Sequence, residues 1–172
     1  KKYTGKLTVE DPTTVKAVAI AEGMRISETV SKQYDISWTA MISEPRQDKE
    51  GTYLISNGRE LAWFAGLVNG TLEGVAQNSA ANAKMTKDID LGDFVWAPMG
   101  DDEAFAGTFD GNGHTVTLDI TASTANVGLF SKLAGGAVVK NVITAGSISG
   151  KVNNVGGIAG TADGNVTIEN CK

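Results

Sequence analysis

The chain has 172 residues and a formal net charge of −5 at pH 7, a length that fits one ordinary domain, or one domain with part of another. Nucleic acid is excluded as a partner, because phosphate binding needs a basic surface and the 15 Lys and Arg residues form no basic patch. The apolar runs are too short for membrane insertion, and the single cysteine, Cys171, cannot form a disulfide within the chain.

The glycine content points to a β protein. Twenty-one glycines stand against three prolines, and only one segment has a long helical pattern, which favours many short strands joined by turns. The chain starts without Met and no signal-peptide pattern opens it, so we interpret it as a processed or excised piece of a longer protein.

Residues 1–36 contain three segments that alternate apolar and polar residues, KLTVE, TTVKAVAIAEG and SETVSKQYDI, and this alternation predicts half-buried strands. Three strands bury too little surface to be stable alone. The YTG opening, the TTVKAVA strand and the closing YDI resemble the second half of the chitobiase/β-hexosaminidase C-terminal-type module. This resemblance implies a partial fibronectin-III-like β-sandwich over 1–36.

Residues 37–52 show no sustained period and carry the charged run EPRQDKE, which predicts a linker. A helix of about three turns is predicted next, within residues 53–70, because Asn57 and Glu60 have capping-box spacing and Gly70 stands where a left-handed cap would fall. Its apolar stripe consists of Leu61, Phe64, Ala65 and Val68. We expect this stripe to cover the open end of a solenoid.

An internal repeat is the strongest signal in the remaining chain. The segments VGLFSKLAGGAVVKNV (127–142) and VGGIAGTADGNVTIENC (155–171) align with a step of about 28 residues. Short strands and glycine turns at this period predict stacked coils of a β-solenoid, with Val139 beneath Ile168 and Val142 beneath Cys171 in the core. Asn141 and Asn170 are expected to stack at a bend, with their amides hydrogen-bonded to each other.

Several motifs of residues 53–172 occur in the order found in the GLUG-motif family. They are DIDLG, the turn Trp96-Ala97-Pro98-Met99-Gly100, FDGNGHT, VGLF and VGGIAG…IENC. The chain resembles this family of right-handed parallel β-helices from large bacterial cell-surface proteins. The resemblance implies an extracellular, cell-surface location and a β-helix capped by the amphipathic helix. Because the family usually has more coils, further repeats or a head-to-tail contact are expected at the C-terminal coil.

The segment FAGTFDGNGHTVTLDI (105–120) offers the sharpest catalytic candidate, because it places Asp110 four residues before His114, the chain's only histidine. No nucleophile motif accompanies the pair. The residues Asp110, Gly111, Asn112 and Gly113 are all of types that favour tight turns. We therefore interpret residues 110–114 as a structural turn that feeds a strand, with Val116, Leu118 and Ile120 facing the core.

The sequence gives little indication of a metal or nucleotide site. Asp88 and Asp90 alternate with Ile89 and Leu91, so the two acids should point outward from one face, where they neither establish nor exclude a Ca²⁺ site. One histidine and one distant cysteine cannot make a zinc site, and no nucleotide loop is present. The sequence thus predicts no cofactor and no catalytic residues.

Aromatic residues matter because sugars stack on flat rings. Trp38 and Trp96 are the glycan-binding candidates, although Trp96 is also expected to cover a core edge at its turn, and Trp63 to pack against the helical cap. The preferred function is a non-catalytic structural or adhesive module that contacts an extracellular glycan or a partner cell-surface protein. The alternative is a glycan-binding accessory region of a secreted carbohydrate-active enzyme.

Overall fold

The computed structural model describes residues 13–34, 42–92 and 95–172. The chain divides into two compact units, Lys1–Met41 and Ile42–Lys172. The described part of the first unit contains two strands and no helix, and that of the second unit contains ten strands and one helix. No helix in the described segments has the length and apolar character to cross a membrane.

The described part of the first unit is a pair of antiparallel strands, β1 (Thr13–Ala17) and β2 (Val30–Tyr34), with Val15 opposite Lys32. Two of the three predicted strands are thus present, whereas KLTVE lies outside the described residues. The predicted half-buried face is not formed within residues 13–34, because most apolar side chains there are exposed: Val18, Ile20, Met24, Ile26 and Val30. These two strands do not define a β-sandwich.

Residues 42–52, predicted as part of a linker, belong instead to the second unit. The reason is a turn at Asp48, whose Oδ1 accepts hydrogen bonds from the backbone N–H groups of Glu50 at 3.0 Å and Thr52 at 2.9 Å. This Asx-type turn sends the chain back on itself. It lets Gln47 form an antiparallel bridge with Tyr53.

The predicted helix is α1 (Gly58–Asn69), which follows β3 (Tyr53–Ile55). Asn57 Oδ1 accepts the N–H of Glu60 at 3.0 Å, and Gly70 ends the helix at φ 68°. The Glu60 carboxylate accepts from the N–H of Ser56, one residue before the expected capping-box partner. All four predicted stripe residues are buried: Leu61, Phe64, Ala65 and Val68.

The remaining strands of the second unit form three parallel sheets. Sheet 1 contains β3, β4 (Ala83–Met85), β6 (Thr108–Asp110), β9 (Val138–Lys140) and β12 (Thr167–Glu169). Sheet 2 contains β5 (Ile89–Asp90), β7 (Thr115–Thr121) and β10 (Ile143–Ser149). Sheet 3 contains β8 (Phe130–Leu133) and β11 (Ala159–Ala162), and Met99 and Phe105 extend it through parallel bridges to β8.

The chain visits these sheets in a constant order. From β4 onward it passes from sheet 1 to sheet 2, then to sheet 3, and returns to sheet 1 beside the strand it left. On sheet 1, Ala83 pairs with Phe109, Phe109 with Val139 and Val139 with Ile168. The Val139–Ile168 pair predicted from the repeat is therefore present.

Large apolar side chains fill the space between the sheets. The rings of Phe105 and Phe130 lie 5.0 Å apart, and Phe64 of α1 lies 6.4 Å from Phe105, so the helix packs directly onto the aromatic core. The strand predicted from Thr115 to Ile120 is β7, and its inward residues are buried as expected: Val116, Leu118 and Ile120.

The last repeat is less buried than predicted. Val139 and Val142 are fully buried, but Ile168 is 46% exposed and Cys171 is only half-buried. Among the described strands, β12 pairs with β9 alone, so Ile168 is packed on one side only.

Candidate functional site

The suspected acid–histidine segment lies where the chain turns from sheet 1 to sheet 2. Asp110 ends β6, and its Oδ1 accepts the N–H of Asn112 at 2.8 Å. Asn112 and Gly113 have φ values of 53° and 81°, and the N–H of His114 donates to the carbonyl of Gly111 at 2.9 Å. These contacts close a tight turn that leads directly into β7.

The structure gives His114 a different acidic partner from the one that its sequence neighbours suggest. Its Nδ1 lies 3.1 Å from Asp88 Oδ1, which also accepts the N–H of Thr115 at 2.9 Å. The Asp88 side chain is 74% exposed and the His114 side chain 30%. The hydrogen bond from Thr115, and then that from His114, lowers the pKa of Asp88. Asp88 thus ties two successive turns together at the surface.

Asp110 is committed to a second set of contacts. Asn141 Nδ2 donates to Asp110 Oδ1 at 3.0 Å, and Lys140 Nζ lies 3.9 Å from Asp110 Oδ2. Burial raises the pKa of Asp110, but the hydrogen bonds from Asn141 and Asn112 and the charges of Lys140 and Lys84 outweigh it, so that the pKa lies below its ordinary value. The carboxylate is therefore held ionised by the turn that it stabilises.

Asn170, which follows β12, extends this arrangement to the next strand of sheet 1. Its Nδ2 donates to Asn141 Oδ1 at 3.3 Å, the contact expected from the repeat. Both asparagines have left-handed backbones, with φ values of 54° and 53°. We call Asp110, Asn141 and Asn170 the corner column. In each of its hydrogen bonds between side chains, the residue later in the chain donates to the earlier one.

A second pair of hydrogen-bonded asparagines, Asn126 and Asn154, was not predicted from the sequence. Asn126 and Asn154 have φ values of 63° and 59°, and Asn154 Nδ2 donates to Asn126 Oδ1 at 2.7 Å. The signal that could have found them is the tripeptide Asn-Val-Gly, which occurs at 126–128 and again at 154–156. The tripeptide requires glycine at its third position, because a Cβ on Gly128 would lie 2.4 Å from the carbonyl oxygen of Gly156.

The outward side of sheet 2 carries short polar side chains. Asp88 and Asp90 are exposed while Ile89 and Leu91 are buried, as the alternation predicted. Asp119 Oδ1 accepts from the Ser147 hydroxyl at 2.7 Å and from its N–H at 3.0 Å. Within residues 13–34, 42–92 and 95–172, no group of three or more His, Cys, Asp or Glu side chains could hold a metal ion.

A shallow depression lies along β10, with a volume of about 260 Å³. Thr144 and Ser147 contribute hydroxyl groups to its lining, and Ile148 contributes apolar surface. It is thus a mixed polar and apolar surface feature without an aromatic ring.

The tryptophan predictions have different outcomes. Trp96 is 6% exposed, and its indole N–H lies 3.2 Å from the carbonyl of Gly128 and 3.3 Å from that of Leu129. A ring buried in this way has no open face for a sugar, so Trp96 acts as a core-edge residue and not as a stacking platform. Trp63 is buried 5.5 Å from the ring of Tyr53. Trp38 lies outside the described residues.

The second unit thus belongs to the class of mainly β proteins built from parallel sheets. No protein-family model and no solved structure matches the chain. A 67-residue segment is 48% identical to Halomucin from Haloquadratum walsbyi (strain DSM 16790 / HBSQ001). The match covers 37% of this chain and 1% of that protein, so the chain spans a very small part of its curated relative.

Proposed function

We propose that residues 53–172 form a right-handed β-helix that serves as a non-catalytic structural and adhesive module of a cell-surface protein. The observation that carries this proposal is the return of the chain, coil after coil, to the same three parallel sheets in matching register. The GLUG-type motifs of the sequence support the same assignment.

The stacking explains how such a module would work. Every new coil adds parallel backbone hydrogen bonds to the coil before it, and its apolar residues extend one continuous core. The result is a stiff body whose length grows with coil number, as a spacer on a surface requires. Hydrogen bonds between asparagine pairs hold its corners, and its outer face carries Ser, Thr and Asp. These asparagine side chains therefore stabilise the fold.

The surface location is supported by the partial similarity to Halomucin. The resemblance of residues 1–36 to an accessory β-sandwich module of surface and glycan-acting proteins points in the same direction. A negative net charge of −5 suits a protein that must stay soluble in a crowded exterior.

A glycan-binding role is the second candidate, and the depression along β10 favours it. Thr144 and Ser147 place hydroxyl groups beside the half-buried side chain of Ile148, the mixture that sugar recognition uses. Trp96 is no part of this proposal, because its ring is buried.

The location is tested with antibodies raised against the full chain. Intact cells of the source organism are labelled first, and permeabilised cells are labelled in parallel. The proposal expects equal labelling of both. Labelling that depends on permeabilisation would place the protein inside the cell and overturn the proposal.

The adhesive and glycan-binding roles are separated by binding of the labelled full chain to cell envelopes and to a glycan array. A Ser147→Arg variant fills the depression with a long side chain, and Glu169→Arg places an arginine on β12 instead. If the depression binds glycan, only Ser147→Arg loses array binding. Envelope binding that survives in both variants, without any array binding, supports adhesion through another surface.

A further inference from the structure

Two asparagines of the chain lie in the acceptor pattern for N-linked glycans, Asn-x-Ser/Thr with x other than Pro. They are Asn69, in Asn69-Gly70-Thr71, and Asn165, in Asn165-Val166-Thr167. The pattern is short and arises by chance, so its structural context decides whether it can be used. A usable acceptor lies on the surface of an exported protein, with its side-chain amide free.

Asn69 does not meet these conditions. It is the last residue of α1, and its Nδ2 donates to the carbonyl of Pro98 at 3.0 Å. Its Oδ1 accepts the N–H of Gly100 at 2.7 Å. Both ends of the amide thus hold the loop that follows Trp96 against the helix. A glycan on this nitrogen would separate the loop from α1.

Asn165 meets them. It is exposed in the turn between β11 and β12, where Gly164 has a left-handed backbone with φ 79°. Within the described residues, the Asn165 side chain has no hydrogen bond or ion pair, whereas its backbone carbonyl accepts the N–H of Gly136 at 2.8 Å. The turn is therefore fixed by its backbone while the amide projects from it.

The third residue of the pattern is presented on the same surface. Thr167 is the first residue of β12, and its backbone N–H donates to the carbonyl of Ala137 at 2.9 Å. Because Ile168 pairs with the inward-facing Val139, the alternation of a strand turns Thr167 outward. The Thr167 hydroxyl, which a transferase must recognise, is accordingly on the outer face near the acceptor amide of Asn165.

We propose that Asn165 is an N-glycosylation site and that Asn69 is not. In the transfer, Asn165 Nδ2 attacks the anomeric carbon of a lipid-linked oligosaccharide and loses one proton to a base of the transferase. The bond between that carbon and the lipid phosphate oxygen breaks, and the lipid phosphate leaves. No oxidation or reduction takes place. The glycan would stand at the corner between sheets 3 and 1 and add a bulky, solubilising group to the outer surface.

The test uses the full chain, exported in a host that has an oligosaccharyltransferase and its lipid-linked oligosaccharide. Intact mass and glycopeptide mass spectrometry are the measurements. The expected result is one glycan mass, located on the peptide that contains Asn165. Asn165→Gln and Thr167→Ala abolish it, and Thr167→Ser retains it at least in part. Thr71→Ala, which destroys the pattern at Asn69 and leaves that asparagine in place, changes nothing.

A positive control makes a negative result decisive. An exposed Asn-Ala-Thr tripeptide appended after Lys172 reports whether the host modifies this chain at all. Modification of the appended tripeptide without modification of Asn165 would overturn the proposal, and so would a glycan on Asn69. Equal thermal midpoints of Asn165→Gln and the parent chain show that the loss of glycan is not a loss of fold. The outcome is independent of whether the module is adhesive.

Discussion

Asn141 is the residue through which the corner column can be tested. It combines a left-handed backbone at φ 54° with two side-chain hydrogen bonds, one donated to Asp110 at 3.0 Å and one accepted from Asn170 at 3.3 Å. Asn141→Ala removes both hydrogen bonds and places an unsuited residue in the left-handed region. Asn141→Gly removes the hydrogen bonds but suits the backbone, because glycine has no Cβ.

The magnitudes follow from these contacts. A half-buried hydrogen bond to a carboxylate contributes about 1.5 kcal/mol, and the exposed amide pair contributes about 0.5 kcal/mol. A left-handed alanine costs about 1 kcal/mol more than glycine or asparagine there. The free energy of unfolding should therefore fall by about 3 kcal/mol in Asn141→Ala and by about 2 kcal/mol in Asn141→Gly. For a chain of this size, about 3 kcal/mol lowers the thermal midpoint by about 6–12 °C.

Urea titration followed by tryptophan fluorescence measures these differences, since Trp63 and Trp96 are buried in the second unit. The control is Asn154→Ala, which has a φ of 59° but donates only to the neutral amide of Asn126. It should lose about 1.5 kcal/mol. Equal losses in Asn141→Ala and Asn154→Ala would refute the role of Asp110, and a Gly variant as unstable as the Ala variant would refute the backbone argument.

Three further perturbations probe the core, the turn and the acid limit. Val139→Asp buries an unpaired carboxylate at a position with 0% exposure and should leave the second unit unfolded by circular dichroism; a folded, soluble variant would contradict the core assignment. Gly111→Ala should lose more than about 2 kcal/mol in urea titration, because its Cβ would lie 2.5 Å from the carbonyl of Asn141, whereas Gly113→Ala meets no atom within 4 Å and should lose only about 1 kcal/mol through its φ of 81°. Acid should weaken the fold through Asp110: its pKa in the folded chain lies below the ordinary value of 3.8, so the stabilisation is complete above that value and is lost as the pH falls through the folded-state pKa. Asp110→Asn should therefore show a shallower loss of stability below about pH 4 than the parent chain in pH-dependent urea titration, and an unchanged slope would exclude this group.

The features that sequence predicts best are those encoded by near neighbours. The helix α1 begins and ends as its cap residues require, because Asn57, Glu60 and Gly70 act within a single turn of chain. The same holds for β7, where alternation alone assigns Val116, Leu118 and Ile120 to the interior. The Val139–Ile168 pair follows from the repeat, which carries long-range information in local form.

The features that sequence predicts poorly depend on which distant strands and turns lie side by side. His114 is four residues from Asp110 in the chain, yet its partner is Asp88, which belongs to the preceding turn. Stacking brings the two turns together, and the repeat is too degenerate at 82–92 to show the alignment. Trp96 is a related case, because the carbonyls that accept its indole N–H come from residues 128 and 129, which are 32 and 33 residues later in the chain.

The asparagines with left-handed backbones combine a local role in a bend with a long-range role between distant parts of the chain. All five non-glycine residues with positive φ in the described segments are asparagine: Asn112, Asn126, Asn141, Asn154 and Asn170. A chain that returns repeatedly to the same sheets must repeat the same bend, and a left-handed residue makes that bend at low cost when it is Gly or Asn. Asn, unlike Gly, can also bond to the asparagine at the matching position, as Asn154 does to Asn126 and Asn170 to Asn141, because its amide has a donor and an acceptor.

The corner column shows how such a series of asparagines ends. Asn170 donates to Asn141, and Asn141 donates to Asp110. An ionised carboxylate accepts but cannot donate, so Asp110 ends the column at β6 and cannot donate a further hydrogen bond toward β4. Its remaining contacts are those of an end residue, namely the N–H of Asn112 and the ammonium group of Lys140. The register of sheet 1 aligns Asp110 with Lys140 and Glu169, so Gly111 lies where the later strands are followed by Asn141 and Asn170. Because Gly111 has no side chain to accept a hydrogen bond, the column ends on the carboxylate one residue before it.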